Sequence, residues 1–309
     1  MGLVASAAIR MRDLFAVIML FGIFSFIAAL LFLDMDAVDV AFTEAAVGAG
    51  VTTVLMLSAL RLTQRYENVS HRHAGMALVV VTLTGAALIY GTLDFPSLGD
   101  PNAPVHEHVA PEYLQQTPEK IGVPNVVTAV LASFRGYDTL GETVVIFSAG
   151  IVVMLLLGLG RAEDFEQQED ILILWVVVKP MVALILVFAL YVQFHGDFGA
   201  GGGFQAGVIF ASGFILYSLV YGENHTRKVL PARWLPRLAA LGVLLYAGTG
   251  MFSFFKGQVF LDYNALADSP VSGQHLGILL VEAGVGLTVF STVLLIFYAF
   301  SGRRAVVHE

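Results

Sequence analysis

The sequence predicts an all-α integral membrane protein with about eight transmembrane helices and both termini in the cytoplasm. Of its 309 residues, 57% are hydrophobic and only 13% are charged, whereas a soluble domain carries about 25% charged residues. Eight segments are apolar over roughly the 20 residues that are needed to cross a bilayer. The basic residues of the connecting loops gather on one side, and this asymmetry gives the orientation.

The eight predicted spans are taken in chain order. They cover residues 14–33, 38–60, 74–93, 142–160, 171–194, 203–222, 238–255 and 275–301. The first is too long for the apolar region of a cleavable signal peptide. Between the third and fourth spans lies a loop, 94–124, that contains six prolines. A short apolar piece, Val126–Phe134, follows it and is predicted to be a re-entrant or interfacial helix, because it is too short to span.

Lysine and arginine in the loops predict which side of the membrane each loop occupies. Three basic residues fall on one side, namely Lys120, Arg135 and Lys256. Twelve fall on the other side: Arg10, Arg12, Arg61, Arg65, Arg72, Arg161, Arg227, Lys228, Arg233, Arg237, Arg303 and Arg304. We therefore expect cytoplasmic termini, a cytoplasmic loop at 161–170 and an external loop at 94–124.

Composition and motifs exclude several classes of function. The chain has no cysteine, so it carries no disulfide, thiolate metal site or iron–sulfur cluster of its own. A net charge of −8 gives no sign of nucleic-acid binding, and no nucleotide-binding fingerprint follows a strand. The eight histidines do not have the spacing of a zinc hydrolase or a haem site. We expect no cofactor, no bound metal and no enzymatic activity.

The stretch 196–209, Gly-Asp-Phe-Gly-Ala-Gly-Gly-Gly-Phe-Gln-Ala-Gly-Val-Ile, is the most informative part of the chain. Its six glycines separate two long apolar segments. Bare backbone polar groups cannot face lipid, so such a run must be buried in protein or line a wet cavity. We therefore predict a structural loop at a polar vestibule, formed by Gly199, Gly201, Gly202 and Gly203.

Four ionisable residues lie inside predicted spans, where a charge is costly and indicates function. Glu44 lies about 7 Å along span two from its outer aspartate; the alternative is a glutamate that snorkels to the surface. Glu142 lies at the mouth of span four; the alternative is a favourable position at the positive end of the helix dipole. Glu282 lies in span eight. Arg135 and Asp138 can form a local ion pair.

Lys179 is the fourth of these residues and is predicted to lie near mid-membrane, eight residues into span five. Pro180 follows it, and a proline removes a helical hydrogen bond and frees a carbonyl beside the lysine. The alternative is a static pair with an acid of a neighbouring helix. We expect an external acidic vestibule that leads to Lys179. Its candidate residues are Asp197, Glu282, Glu44 and Glu142. Asp197 lies at the outer end of span five, together with His195. The acids could instead serve partner chains.

Three motifs resemble one family. The run from Gly196 to Leu216 resembles the Pro-Gly-Gly-Gly-Phe-Gln-Ala-Gly region of the MnhB/MrpB protein of Mrp-type (Mnh) cation/proton antiporters, with Ala200 where the family often has proline. Asp39–Gly50 resembles the MbhD-like part of the C-terminal region of the MrpA protein. Asn125–Glu142 resembles the MbhE-like part of that region. The last two are also similar to pieces of membrane-bound hydrogenase and of the J subunit of respiratory complex I.

The resemblance implies a fusion of the tail of MrpA with MrpB. Residues 1–80 would be MbhD-like, 81–164 MbhE-like and 165–309 a four-helix MnhB/MrpB-like domain. The chain would be a non-redox subunit of a multisubunit Na+/H+ antiporter in a prokaryotic inner membrane, where it helps to form the ion path and the assembly. Its partners would be chains like MrpA, MrpC, MrpD, MrpE, MrpF and MrpG. By motif match, Glu44, Asp138 and Glu142 carry over as ion-path candidates.

Two other interpretations stay open. The chain resembles, by the same motifs, a membrane-arm subunit of an energy-converting hydrogenase or a complex I relative. It could also be a scaffold in which every buried charge is paired and static. Neighbouring genes that encode nickel or iron–sulfur ligands would favour the redox complex.

Overall fold

The computed structural model describes residues 1–68, 73–159 and 172–302. In these ranges eight helices are long and apolar enough to cross a membrane, which confirms the predicted all-α, multi-pass fold. They are α1 (Leu14–Asp34), α2 (Val38–Leu60), α3 (Ala74–Thr92), α4 (Gly136–Leu157), α5 (Leu172–His195), α6 (Gly203–Tyr221), α7 (Leu235–Phe255) and α8 (Pro270–Ser301). The loop 161–170, the domain boundary within it, and the basic residues Arg72, Arg161, Arg303 and Arg304 lie outside the described residues.

The predicted spans agree with the helices to within two residues except at three N-terminal ends and at the C-terminal end of α4, which ends at Leu157 rather than at residue 160. Helix α4 begins at Gly136 rather than at residue 142, α7 at Leu235 rather than 238, and α8 at Pro270 rather than 275. Hydropathy misses these first turns because they carry polar residues and prolines. Helix α8 shows the reason: Ser269 is its N-cap, and its hydroxyl accepts a 3.3 Å hydrogen bond from the amide of Ser272. Such capping is local chemistry that an apolar window does not register.

Helix α8 is the axis of the bundle. In the most apolar 18-residue stretch of α8, 67% of the residues are buried, whereas the corresponding shares are 50% in α6 and 0% in α3. Glycines at the crossings bring the backbones together, as in membrane helix pairs generally. A Cβ on Gly203 would lie 2.0 Å from the carbonyl oxygen of Glu282, and one on Gly242 would lie 2.4 Å from that of Gly284. Helices α6 and α7 can therefore pack against α8 only through glycine.

Helices α1 and α2 form an antiparallel pair that is closed at one end by an ion pair. The Arg65 guanidinium donates to the Asp13 carboxylate from Nε at 3.2 Å and from Nη2 at 2.8 Å. This partner lowers the pKa of Asp13. In the middle of α2 the turn Ala45–Val51 is π-helical, a form that occurs mostly as single turns inside α-helices.

Helix α3 stands apart from this packing. None of its most apolar window is buried, and a Cβ added to Gly75, Gly85 or Gly91 would meet nothing within 4 Å. The surface of α3 is therefore free to contact lipid or another chain.

The segment between α3 and α4 is more ordered than its six prolines suggest. It contains the helices Pro104–Glu107 and Ala110–Gln116 and the π-helical turn Thr117–Ile121. The predicted short helix is present as the turn Val126–Thr128 and the π-helical Ala129–Phe134. Ala129 is 0% exposed and Ala132 is 4% exposed, so this piece is packed into the bundle.

Candidate functional site

A cavity of about 340 Å³ lies where three separate parts of the chain meet. Asp39 on α2, Glu142 on α4 and Glu282 on α8 each contribute a carboxylate to its lining. The other polar side chains of the lining are Thr43, Thr128, Thr139, Thr143 and Gln205. Carboxylate oxygens bind small cations and exchange protons, and acids at membrane depth commonly mark ion or proton pathways. The cavity is therefore suited to a small cation or a proton.

Three residues of the glycine loop form one wall of this cavity, and Gly199 lines a neighbouring cavity. The three that form the wall are Gly201, Gly202 and Gly203. Gly202 has φ +128°, a backbone conformation that favours glycine, and its amide donates to the carbonyl of Val192 at 3.1 Å. The amide of Gly201 donates to Asp39 Oδ1 at 3.2 Å. The loop thus orients the carboxylate of Asp39.

Asn125 and Thr128 hold the other side of the loop. The Asn125 side-chain amide donates to the carbonyls of Gly196 at 3.0 Å and of Gly199 at 2.9 Å. The Thr128 hydroxyl donates to the same Gly196 carbonyl at 2.7 Å. The backbone amide of Asn125 donates to the carbonyl of Asp197 at 3.0 Å. These bonds satisfy loop carbonyls that no helix pairs.

Glu282 lies against the same loop. A Cβ on Gly196 would come within 3.1 Å of Glu282 Oε2, and one on Gly202 within 3.0 Å of Glu282 Oε1. Both distances are tighter than ordinary side-chain contacts. Glycine at these two positions therefore makes room for the carboxylate of Glu282 at the cavity.

A chain of two side-chain hydrogen bonds connects α6 to α2 at the cavity. The side-chain amide of Gln205 donates to Thr43 Oγ1 at 2.9 Å, and the Thr43 hydroxyl donates to the carbonyl of Asp39 at 2.9 Å. Sequence reasoning missed Gln205 and Asn125 as site residues and treated Asp39 as a helix edge. Gln205 lies in the motif Gly196–Leu216 and Asn125 begins the motif Asn125–Glu142, and membership of these motifs was the available signal.

A second cavity, of about 390 Å³, adjoins the first. It is lined by Asp36, Asp39, Asn125 and Gly199 among others, and it shares Asp39, Val40 and Val127 with the first cavity. Asp39 therefore stands between two chambers, at the end of the bundle where α5 ends and α6 begins.

Asp197 and His195 lie beside the cavity rather than in its lining. Asp197 Oδ2 is 3.1 Å from Nδ1 of His275. The ring of His195 stacks on Tyr191, with 4.9 Å between centroids and 19° between planes, and lines a different, largely apolar cavity of about 440 Å³. The predicted acidic vestibule therefore has Asp197 only at its rim.

Glu44 and Asp138, both predicted from the sequence, do not line the cavity either. Gly48 lies one turn after Glu44 on α2, and Ser25 lies on α1. A Cβ on Gly48 would lie 2.6 Å from Glu44 Oε1 and 2.8 Å from Ser25 Oγ, so the Glu44 side chain faces α1. Asp138 forms the expected local pair with Arg135, at 2.5 Å, with half of its side chain exposed.

Lys179 is far from the acids. It is exposed on α5, and its ammonium lies 5.8 Å from the ring centroid of Tyr221. Tyr221 ends α6, whereas Gly203 at the cavity begins it, and 18 residues of helix span about 27 Å. The structure does not join the predicted vestibule to this lysine. Pro180 lies inside α5, which continues past it to His195.

Among the described residues, no group of three or more histidine, aspartate or glutamate side chains is placed to hold a metal ion. The three cavity carboxylates line a shared space without forming a compact ligand set.

Three family models match the chain in succession. Residues 1–65 match MbhD, the D subunit of MBH; residues 70–167 match MbhE, the E subunit of MBH; and residues 173–295 match MnhB, described as "Domain related to MnhB subunit of Na+/H+ antiporter". The MnhB-related part is thus the C-terminal one. Each match contributes one acid to the cavity: Asp39, Glu142 and Glu282, respectively.

Two curated relatives show how far the similarity extends. A probable K(+)/H(+) antiporter protein of Rhizobium meliloti, named as a combined A/B subunit, is 29% identical over 329 residues, which is 93% of this chain and 32% of that protein. The chain therefore spans about a third of that relative. The "Putative antiporter subunit mnhB2" of Staphylococcus epidermidis is 34% identical over 141 residues, which is 45% of this chain and 99% of that protein.

Two solved structures share the fold. A chain of the Mrp complex from Dietzia sp. DQ12-45-1b matches all of this chain over 34% of its own length, with TM-score 0.77 and 24% identity. A chain of the membrane-bound sulfane sulfur reductase, an archaeal respiratory membrane complex, matches 73% of this chain over 97% of its own length, with TM-score 0.59 and 27% identity. The structural matches show the fold. The match to the staphylococcal protein, 34% identical over 99% of its length, shows that the chain belongs to the MnhB family of antiporter subunits.

Proposed function

We propose that this chain lines part of the ion path of a multisubunit monovalent cation/proton antiporter in a prokaryotic cell membrane, with Na+ as the cation. In this proposal the chain joins the C-terminal region of an MrpA-like protein to an MrpB-like protein. Ions or protons reach the cavity past Asp39 and exchange there with Glu142 and Glu282.

The observation that carries this proposal is the convergence of three carboxylates on one cavity. Asp39, Glu142 and Glu282 come from three family segments that are far apart in sequence, yet they share one lining. The Asp39 carboxylate accepts from the Gly201 amide, and the Gly196 and Gly202 backbone leaves room for the Glu282 carboxylate. Intramembrane acids are expensive, and a static scaffold would pair them with cations. No basic side chain lines this cavity among the described residues.

A second part of the proposal concerns assembly. We infer that other Mrp-type chains, like MrpA, MrpC, MrpD, MrpE, MrpF and MrpG, complete the transporter. Two observations support this inference: none of the most apolar window of α3 is buried, and the Rhizobium meliloti relative is about three times as long as the matched region. The surface of α3 is then a contact with one of these chains.

A redox alternative has one specific observation in its favour. The match to the membrane-bound sulfane sulfur reductase covers 97% of that chain. If this protein belonged to such a complex, the same cavity would serve proton movement that is coupled to electron transfer in other chains, and no cation-linked proton movement would be measured in the absence of a redox substrate.

The test measures Na+- and K+-dependent pH change in everted membrane vesicles of an antiporter-deficient host that expresses the whole gene cluster. The variants are Glu142→Gln, Glu282→Gln and Asp39→Asn, which keep shape and remove charge. The matched control is Glu107→Gln, because Glu107 is exposed in the segment between α3 and α4. Native gels report assembly of every variant.

We expect the cavity variants to assemble and to lose about tenfold or more in cation-linked pH change, which corresponds to about 1.4 kcal/mol in a barrier. Glu107→Gln should behave as wild type. Normal transport in all three cavity variants would refute the ion path and favour a scaffold. A wild-type complex that shows no cation-linked proton movement would favour the redox alternative.

A further inference from the structure

Lys179 lies on a surface of α5 that the rest of the chain leaves open. Val176 and Ala183 lie about one turn before and after Lys179 on the same side of α5, and both are exposed, Val176 to 65%. A lysine ammonium on such a surface cannot remain in hydrocarbon, so it must reach water, a headgroup or an opposite charge. The cavity acids are too far away to supply that charge.

The ammonium lies at the level of the helix ends rather than at mid-membrane. Side chains of an α-helix lean toward its N-terminus, and Lys179 is seven residues after Leu172, where α5 begins. Its Nζ lies 5.8 Å from the ring centroid of Tyr221, the last residue of α6. The hydroxyl of Tyr221 donates to the carbonyl of Trp175, one turn nearer the end of α5. The lysine therefore snorkels by about one turn toward the membrane face.

Two further aromatic rings pack against Tyr221, the ring that lies beside this charge. Trp175 packs edge-on against Tyr221 with 4.9 Å between centroids, and Tyr217 lies 4.7 Å from Tyr221. Tryptophan and tyrosine are enriched at the level of lipid headgroups, where one end of the ring is apolar and the other is wet. The cluster of Trp175, Lys179, Tyr217 and Tyr221 therefore has the composition and depth of a headgroup contact.

We propose that this cluster binds the phosphate of an anionic phospholipid in the leaflet at which α5 begins. The ammonium supplies the charge, the rings of Trp175 and Tyr217 pack on the glycerol and upper acyl region, and Tyr221 holds the lysine in place. Phosphate is the abundant anion at this depth, and the attraction of one basic side chain to an anionic membrane surface corresponds to roughly fivefold in affinity. This site is separate from the ion path and does not depend on it.

The test uses the complex extracted from the membrane after expression of the whole gene cluster. Its thermal stability is measured in phosphatidylcholine nanodiscs with increasing phosphatidylglycerol, for wild type, Lys179→Gln, Lys179→Arg and Lys228→Gln. The last variant is the control, because Lys228 is exposed on the same predicted side of the membrane. In parallel, a photo-crosslinking amino acid replaces Val176, one turn from Lys179 on the same surface.

We expect phosphatidylglycerol to stabilise wild type, Lys179→Arg and Lys228→Gln, and Lys179→Gln to need roughly fivefold more of this lipid for the same effect. The crosslinker should capture lipid. Equal lipid responses in Lys179→Gln and wild type would overturn the proposal. Capture of a protein chain at position 176 would overturn it too, and would assign Lys179 to a carboxylate of a neighbouring chain.

Discussion

Gly203→Ala gives the sharpest test of the packing on which the cavity depends. A Cβ at this position would lie 2.0 Å from the carbonyl oxygen of Glu282 and 2.9 Å from the amide nitrogen of Gly286. Ordinary contact begins at 3.4 Å, so α6 and α8 would have to separate by about 1.4 Å. The atoms in the way are backbone atoms, which cannot rotate aside.

The expected cost follows from overpacking. Forced separation of well-packed elements costs about 1–3 kcal/mol, and the better helix propensity of alanine returns at most about 1 kcal/mol. Gly203→Ala should therefore destabilise the bundle. Because Glu282 supplies the obstructing carbonyl, the same shift should move its carboxylate away from the glycine loop and reduce transport.

Thermal unfolding of the purified complex and vesicle transport measure the two effects. The control is Gly248→Ala, because a Cβ on Gly248 of α7 would meet nothing within 4 Å. That variant should be as stable as wild type or slightly more stable, and should transport normally. If Gly203→Ala were as stable and as active as Gly248→Ala, the close approach of α6 to α8 and its role in placing Glu282 would be refuted.

Three further predictions concern single contacts. Tyr263→Phe removes a phenol hydroxyl that donates to the carbonyl of Ala132 at 2.8 Å, and it should lower the free energy of unfolding by about 1–3 kcal/mol. Because burial raises the pKa of Tyr263, the loss measured by thermal unfolding should be the same at neutral and mildly alkaline pH. Asp13→Asn should lower thermal stability by a constant amount from about pH 5 to about pH 8. The reason is that Arg65 lowers the pKa of Asp13, and the stabilisation by such a carboxylate disappears only as the pH falls through that lowered pKa. Asp138→Asn should change stability by no more than about 1 kcal/mol, as expected for an exposed pair, and should leave cation-linked pH change intact in the vesicle assay.

The spans could be predicted from the sequence because a bilayer imposes one length and one polarity on every helix. Helix α2 was predicted at 38–60 and extends from Val38 to Leu60. The glycine loop could be predicted as well, because backbone polar groups at that depth need partners. Asn125 and Thr128 are two of those partners, yet no rule of spacing connects them to a loop some 70 residues away.

The acidic residues of the spans also show that the sequence does not specify which helices are neighbours. Glu142 and Glu282 were recognised as costly charges, and the structure brings them to one cavity. Glu44 was recognised by the same argument, but it faces α1 instead. Which face of a span meets which neighbour depends on helix packing, and two apolar helices present too few distinctive side chains for a sequence to specify it.

Lys179 shows why a charge within a span has two opposite meanings. Hydropathy reports the depth of its Cα, and that depth predicted a buried group near mid-membrane. The long side chain instead carries the ammonium about one turn toward the membrane face, over the ring of Tyr221. Glutamate has a shorter side chain, and Glu282 lies 12 residues after Pro270, where α8 begins, so its carboxylate stays beside its own helix and meets the glycine loop. The two charges therefore meet different surroundings: Lys179, seven residues after the start of α5, extends its ammonium to the ring of Tyr221 at the end of α6, whereas Glu282, deeper in its helix and shorter in reach, lines an internal cavity.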